Sequence, residues 1–302
     1  MWSSIGAGSA APIVLASTKP LHSIAASVTE GVSAPLLLID GVSSPHLFQL
    51  KPSHIKAISG SDIVLWAGRG VERFIPSMID NFAPHAASVE LALIPGMTHH
   101  QSRATAQGFR FDQDQDAPGA SVRPSSETLD YHLWFDPENA KRLADTLADE
   151  LGSIDPPNVD RYRANADSFK HKLEDTLAEI ALVMESIKGR PYLIYHDSLQ
   201  YFEKAFGMGE AIVVTSQPQV QAGAKRIKQL HQQVASLTPG CLLAEVQFQS
   251  SALDVLIDEL ELRRVSIDPV ASSFESGAAL YTDWLRQTAS DIATCLSSSD
   301  KE

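Results

Sequence analysis

Between about Asn158 and Lys188 the chain contains neither proline nor glycine, and Tyr162, Phe169, Leu173, Leu177, Ile180 and Met184 recur along one side at helical spacing. One unbroken helix of about 30 residues would be about 45 Å long, enough to run the height of two lobes. Pro156-Pro157 stops the helix before it, and Gly189-Arg190 opens the second half of the chain. This rod therefore divides the chain into an N-terminal lobe (12–157), a connecting helix (158–188) and a C-terminal lobe (189–302). Residues 1–11 have no basic or continuous apolar segment; they read as a tag or as the remnant of a removed signal sequence.

Both flanks show one rhythm. Ahead of the rod, Pro12–Ser17, Leu36–Ile39, Ile63–Ala67 and Val89–Ile94 read as strands. Behind it, Tyr192–Tyr195, Ala211–Val214, Leu242–Glu245 and Arg264–Ile267 do the same, with helices at about Ala222–Leu237, Ser250–Glu261 and Ser276–Leu296. Leu36–Ile39 is a bare apolar run of the kind buried on both faces. Asp136-Pro137-Glu138 predicts a well-capped helix start, and Asp197 with Gln200 three residues on predicts a capping box. Strands alternating with helices imply an α/β fold, here two lobes, each with a parallel β-sheet flanked by helices, joined by one long rigid helix.

The 302 residues carry 24 basic against 37 acidic side chains, a net charge of −13. That excess argues against nucleic acid or an anionic membrane surface as partner and is compatible with handling a cation. No apolar run approaches the length that spans a bilayer. Cys241 and Cys295 are the two cysteines; they are separate buried thiols in a reducing compartment or a pair in an oxidising one.

The segment from Met97 to Asp130 breaks the rhythm. It is long and polar, with His99, His100 and alternating Asp112, Asp114 and Asp116. It reads as a surface loop, with a low-affinity cation collector as the sharper reading.

Ligand-type side chains gather where strands hand over to helices, the edge at which open α/β sheets bind their ligands. His46 lies in the loop after the second strand, His132 just before a helix start, and His196 at the end of Tyr192–Tyr195. Asp268 follows Val265-Ser266-Ile267. Two imidazoles from one lobe would face an imidazole and a carboxylate from the other, a set that suits Zn²⁺. Glu245 is either a general base beside such an ion or, as favoured here, an acceptor that orients a ligand histidine. Glycine-rich dinucleotide and phosphate loops, His-Glu-x-x-His and a serine nucleophile elbow are all absent from the sequence. His22 is assigned to packing or capping, and His54, His85, His171 and His231 to solvent.

Ser44-Pro45-His46 with Lys51-Pro52-Ser53, His132 through Ala140, Tyr195-His196-Asp197 with Tyr201-Phe202, and Ala244 through Phe248 together resemble the cluster A-I substrate-binding proteins of bacterial ABC importers. The nearest branch is the zinc branch, the ZnuA-like periplasmic proteins, and the resemblance runs from Pro12 to Leu296. It implies one metal between the lobes, held by His46, His132 and His196, with Asp268 on the carboxylate position that water takes in some members. It implies a disulfide between Cys241 and Cys295, and a nitrogen at His196 where manganese and iron branches carry a carboxylate. The segment at Met97–Asp130 has fewer histidines than the loop of many zinc-branch proteins. The implied protein is a periplasmic monomer, not an enzyme, that captures Zn²⁺ and delivers it to an ABC permease with its ATPase. A manganese or iron carrier, a zinc hydrolase using Glu245 and an adhesin with a structural metal are the alternatives.

Overall fold

The computed structural model describes residues 11–103, 129–209, 211–215, 224–248, 254 and 257–297. Four helices of the first half start with proline in the first turn, where its missing N–H costs nothing: α1 Lys19–Val28, α2 Pro52–Ser59, α3 Ile75–Phe82 and α4 Pro137–Ile154. They alternate with β1 Val14–Ala16, β2 Leu36–Leu37, β3 Ile63–Trp66 and β4 Ala87–Glu90. As the Asp-Pro-Glu run predicts, Asp136 caps α4, its Oδ1 accepting from the backbone N–H groups of Glu138 (2.8 Å) and Asn139 (3.2 Å).

α5, Val159–Glu185, is the rod: 27 residues, about 40 Å long. Beyond it come β5 Tyr192–His196, α6 Gln200–Ala205, β6 Ala211–Thr215, α7 Ala224–Leu237, β7 Cys241–Glu245, β8 Arg263–Ile267 and α8 Leu280–Ser297. Half of the helix expected at Ser250–Glu261 lies outside the described residues. No helix among them is long and apolar enough to cross a membrane.

The strands form two four-stranded sheets of the same design. Their orders are β2-β1-β3-β4 and β6-β5-β7-β8, with every neighbour pair parallel. The apolar core runs without a break from the first sheet through α4 and α5 to the second sheet and α8. Hydrogen bonds sew the same boundary: Trp134 Nε1 donates to Pro269 O (2.9 Å), and the Tyr281 hydroxyl to Trp134 O (2.8 Å). Lys19 Nζ reaches across to Ser272 O and Phe274 O.

Three local expectations are corrected. Leu36–Ile39 is not a strand buried on both faces; the strand stops at Leu37 and forms the sheet edge, leaving Leu36 43% exposed. The strand at Val89–Ile94 ends at Glu90 and passes into a 3-10 turn at Leu91–Leu93, because its partner β3 ends opposite it, with Trp66 paired to Glu90. Asp197 does not cap α6: Leu199 holds that position, and the Asp197 carboxylate is taken instead by the Arg103 guanidinium.

Candidate metal centre

Each histidine of the centre is positioned by a different local device. Pro45, with its fixed φ, starts a one-turn 3-10 helix, Pro45–Leu47, that carries His46. The turn is closed by the Leu47 N–H on Ser44 O (3.0 Å).

His132 is set by the residue two before it. Asp130 Oδ1 accepts from the backbone N–H of His132 (3.0 Å) and lies 2.8 Å from its ring Nδ1. An aspartate that binds the backbone two residues on is a turn-forming habit of this side chain, and here the turn also orients an imidazole. The other Asp130 oxygen accepts from Gln200 Nε2 (3.1 Å).

His196 ends β5. Register pairs Leu193 with Leu242 and Ile194 with Leu243, and the same offset sets His196 beside Glu245, the last residue of β7. Glu245 Oε1 lies 3.0 Å from His196 Nδ1 and accepts from the Ser198 hydroxyl (2.7 Å). With Nδ1 of His132 and of His196 each on a carboxylate, Nε2 is the nitrogen each ring has left for an ion.

The three rings converge. Their centroids are 5.8 Å (His46–His132), 5.5 Å (His46–His196) and 5.0 Å (His132–His196) apart. One ligand atom from each lies within 4.8 Å of the others, and no further group of this kind occurs among the described residues. The Nε2 of His46 is buried without a hydrogen-bond partner among the described residues. Such an atom normally costs stability, and a bound cation would satisfy it. The space between the rings is about 10 Å³, lined also by Trp134, Gln247, Pro269 and Val270. It has room for an ion and none for an organic molecule.

Protonation follows from burial and neighbours. Burial first, and then the His196 and His132 rings, hold His46 well below the usual imidazole range, which favours its neutral, ligating form. Burial also pulls His132 down, but the Asp130 carboxylate outweighs it and the net shift is upward. Asp130 moves the opposite way: burial pushes it up, and the His132 ring more than offsets that.

The other sequence candidates lie outside the group. Asp268 follows β8, two strands away from β5 in a sheet whose strands are spaced by about 4.8 Å. Its oxygens accept from Gln247 Nε2 (2.8 Å), the Ser272 hydroxyl (2.9 Å), and the Ser273 N–H and hydroxyl. His99 Nε2 is on Ala92 O (3.0 Å), and the His100 ring lies 4.6 Å from that of Tyr201. Asp112, Asp114 and Asp116 lie outside the described residues. Cys241 and Cys295 are bonded, with Cα atoms 5.8 Å apart, tying the start of β7 to α8. Asp130 was missed from the sequence, although its position two before a candidate ligand histidine was a usable signal.

The family model for the periplasmic zinc-uptake complex component A, ZnuA, matches residues 14–295. The chain belongs to the ZnuA family. The high-affinity zinc uptake system protein ZnuA of Brucella suis biovar 1 is 32% identical, over 94% of this chain and 91% of that protein. The protein of the same name from Yersinia pestis is 26% identical, over 95% and 92%. Among solved structures, a zinc-bound 138-173 deletion mutant of ZnuA superposes with a TM-score of 0.78 at 22% identity, covering 96% of this chain and all of the other. FpvC of P. aeruginosa with Ni²⁺ superposes at 0.77 and 18% identity, over 96% and 98%. These two likenesses carry the ZnuA-type fold of two α/β lobes on a long helix.

Proposed function

We propose that this chain is the zinc-binding component of a bacterial ABC importer, capturing Zn²⁺ in the periplasm and handing it to the membrane permease and its ATPase. The observation that carries the reading is the convergence of His46, His132 and His196 on a space the size of an ion, in a member of the ZnuA family. Three imidazole nitrogens suit zinc better than the harder manganese ion. Asp268 is the fourth ligand in this reading; its oxygens accept from Gln247, Ser272 and Ser273 in the structure. Glu245 and Asp130 hold the rings by Nδ1. In this reading the chain carries the ion and is not a hydrolase, with Glu245 engaged by His196 and Ser198 as an orienting acceptor.

Binding displaces the proton that Asp130 favours on His132, so affinity falls as pH drops. Calorimetry with Zn²⁺ and competing Mn²⁺ on the metal-free protein tests the assignment. One zinc per chain, retained against excess Mn²⁺, is expected; preference for Mn²⁺ overturns it. Asp268→Asn is expected to weaken zinc binding, and unchanged affinity removes Asp268 from the ligand set.

A further inference from the structure

Arg103 stands in the segment that leads away from the first sheet, yet its guanidinium is buried among acids of the second lobe. Nε donates to Asp197 Oδ1 (3.1 Å) and Oδ2 (3.2 Å), Nη1 to Glu203 Oε2 (2.6 Å), and Nη2 to Glu203 Oε1 (3.0 Å) and also to Asp197 Oδ1. All four carboxylate oxygens are thereby engaged by one cation. The three side chains are 13%, 6% and 5% exposed, so this is not a solvated surface pair. Asp197 directly follows His196, and Glu203 lies on α6.

The rest of the same stem is fastened to α6 as well. The His100 N–H donates to the Tyr201 hydroxyl (3.1 Å), and that hydroxyl donates to Asp130 O (2.7 Å). Gln200 Nε2 bonds both Gln101 O (3.0 Å) and Asp130 Oδ2 (3.1 Å). Gln101 bridges Leu129, and the Asp130 N–H donates to His100 O (2.9 Å). The carboxylate that aims His132 is thus held by a two-stranded stem, and that stem is clasped to the residue after His196.

We propose that Arg103 is a positioning residue of the metal centre: by clasping the stem to Asp197 and Glu203 it fixes the Asp130–His132 pair against His196 and sets how slowly the ion leaves. This rests on the zinc reading above and deepens it. The clasp touches no ligand atom; through the stem it bears on Asp130, which orients His132, and through Asp197 on the backbone next to His196. Losing a group that orients a ligand typically costs 10- to 100-fold in metal affinity, and loosening the stem that holds one falls at the lower end of that range. The cost falls on dissociation, because entry does not require the clasp to form anew.

The test is stopped-flow release of Zn²⁺ to a chelator from wild type, Arg103→Ala and Arg103→Lys, with thermal melting of each metal-free protein. Dissociation about tenfold faster or more is expected for Arg103→Ala, with the lysine variant in between, since Lys keeps the charge and loses the fork. An unchanged release rate overturns the proposal, including when the metal-free melting point falls, because that is a purely structural role. Arg103→Ala strands two buried acids and can fail to fold. The triple variant Arg103→Met, Asp197→Asn, Glu203→Gln leaves no stranded charge; fast release from it supports the clasp, and wild-type release overturns it. Absence of zinc binding by wild type defeats the underlying zinc reading instead, which keeps the two failures apart.

Discussion

In the second sheet the strand ends carry the candidate site themselves: β5 finishes in His196 and β7, beside it, in Glu245. In the first sheet, with the same strand order, the corresponding edge is closed by a residue that faces no metal. Glu72 accepts from the Ser17 hydroxyl after β1 (2.5 Å) and from the N–H groups of Ala67 and Gly68 after β3. His46 and His132 therefore arrive on turns, each needing its own brace. The second lobe is also stapled by Cys241–Cys295, and the first has no cysteine to form a staple. One architecture thus holds ligands in two ways: by strand register in one half, by local turns and distant clasps in the other.

The largest effect that would sharpen this contrast is loss of the staple. The disulfide closes a separation of 54 residues, so Cys241→Ser with Cys295→Ser is expected to cost about 4 kcal/mol of stability in urea unfolding. If the loss is below about 1 kcal/mol, the second lobe gains nothing from its cross-link.

Next come the ligands. Four-ligand zinc sites bind with roughly 10–16 kcal/mol, or about 3 kcal/mol per ligand, so His196→Ala and His46→Ala should each lower zinc affinity by about a hundredfold or more in calorimetry. They should part company without metal. His196→Ala leaves the Glu245 carboxylate buried beside a hole and lowers the metal-free melting point. His46→Ala removes an unpartnered Nε2 and should lower it less. Equal melting points would erase the distinction between strand-borne and turn-borne ligands.

Glu72 gives a pH test of the first edge. Burial pushes its carboxyl from 4.5 up to about 7, against the pull of its hydrogen bonds. The folded state therefore holds the proton more tightly than the unfolded chain does. Its contribution is fully present below about pH 4.5, is lost as pH rises to about 7, and levels off beyond. Between pH 5 and pH 8 this removes about 2 kcal/mol, and Glu72→Gln should flatten that part of the stability–pH curve. A wild-type curve already flat there would show the edge closed by a fully charged group.

The smallest expected effect is that of Glu245→Gln, which keeps an acceptor for the Nδ1–H and loses its charge. Zinc affinity should fall about tenfold with the fold intact. No change would reduce Glu245 to a packing role.

The rhythm of strands and helices was legible in the sequence because burial on both faces and helix starts write themselves in local runs such as Ile63–Trp66 and Asp136-Pro137-Glu138. The three histidines were legible as candidates because each sits at an element boundary. Their braces were less so. Asp130 was close enough in sequence to find, but Arg103 meets Asp197 and Glu203 from 94 and 100 residues away. Neither Gly70-Val71-Glu72-Arg73 nor any other local pattern marks Glu72 as buried, since its three donors come from two separate strand ends. Asp268 was legible as a candidate from its place after β8, but its hydrogen bonds to Gln247, Ser272 and Ser273 were not, since only the folded loop brings those groups together.

The unbroken hydrocarbon between the sheets has a consequence for unloading. Halves welded along their whole back cannot swing open like the covers of a book, because parting them would wet a dry interior. Whatever extracts the ion has to pry at short rim segments, such as the turn bearing His46 or the stem ahead of His132, where yielding sacrifices a few hydrogen bonds and leaves the scaffold behind it unmoved.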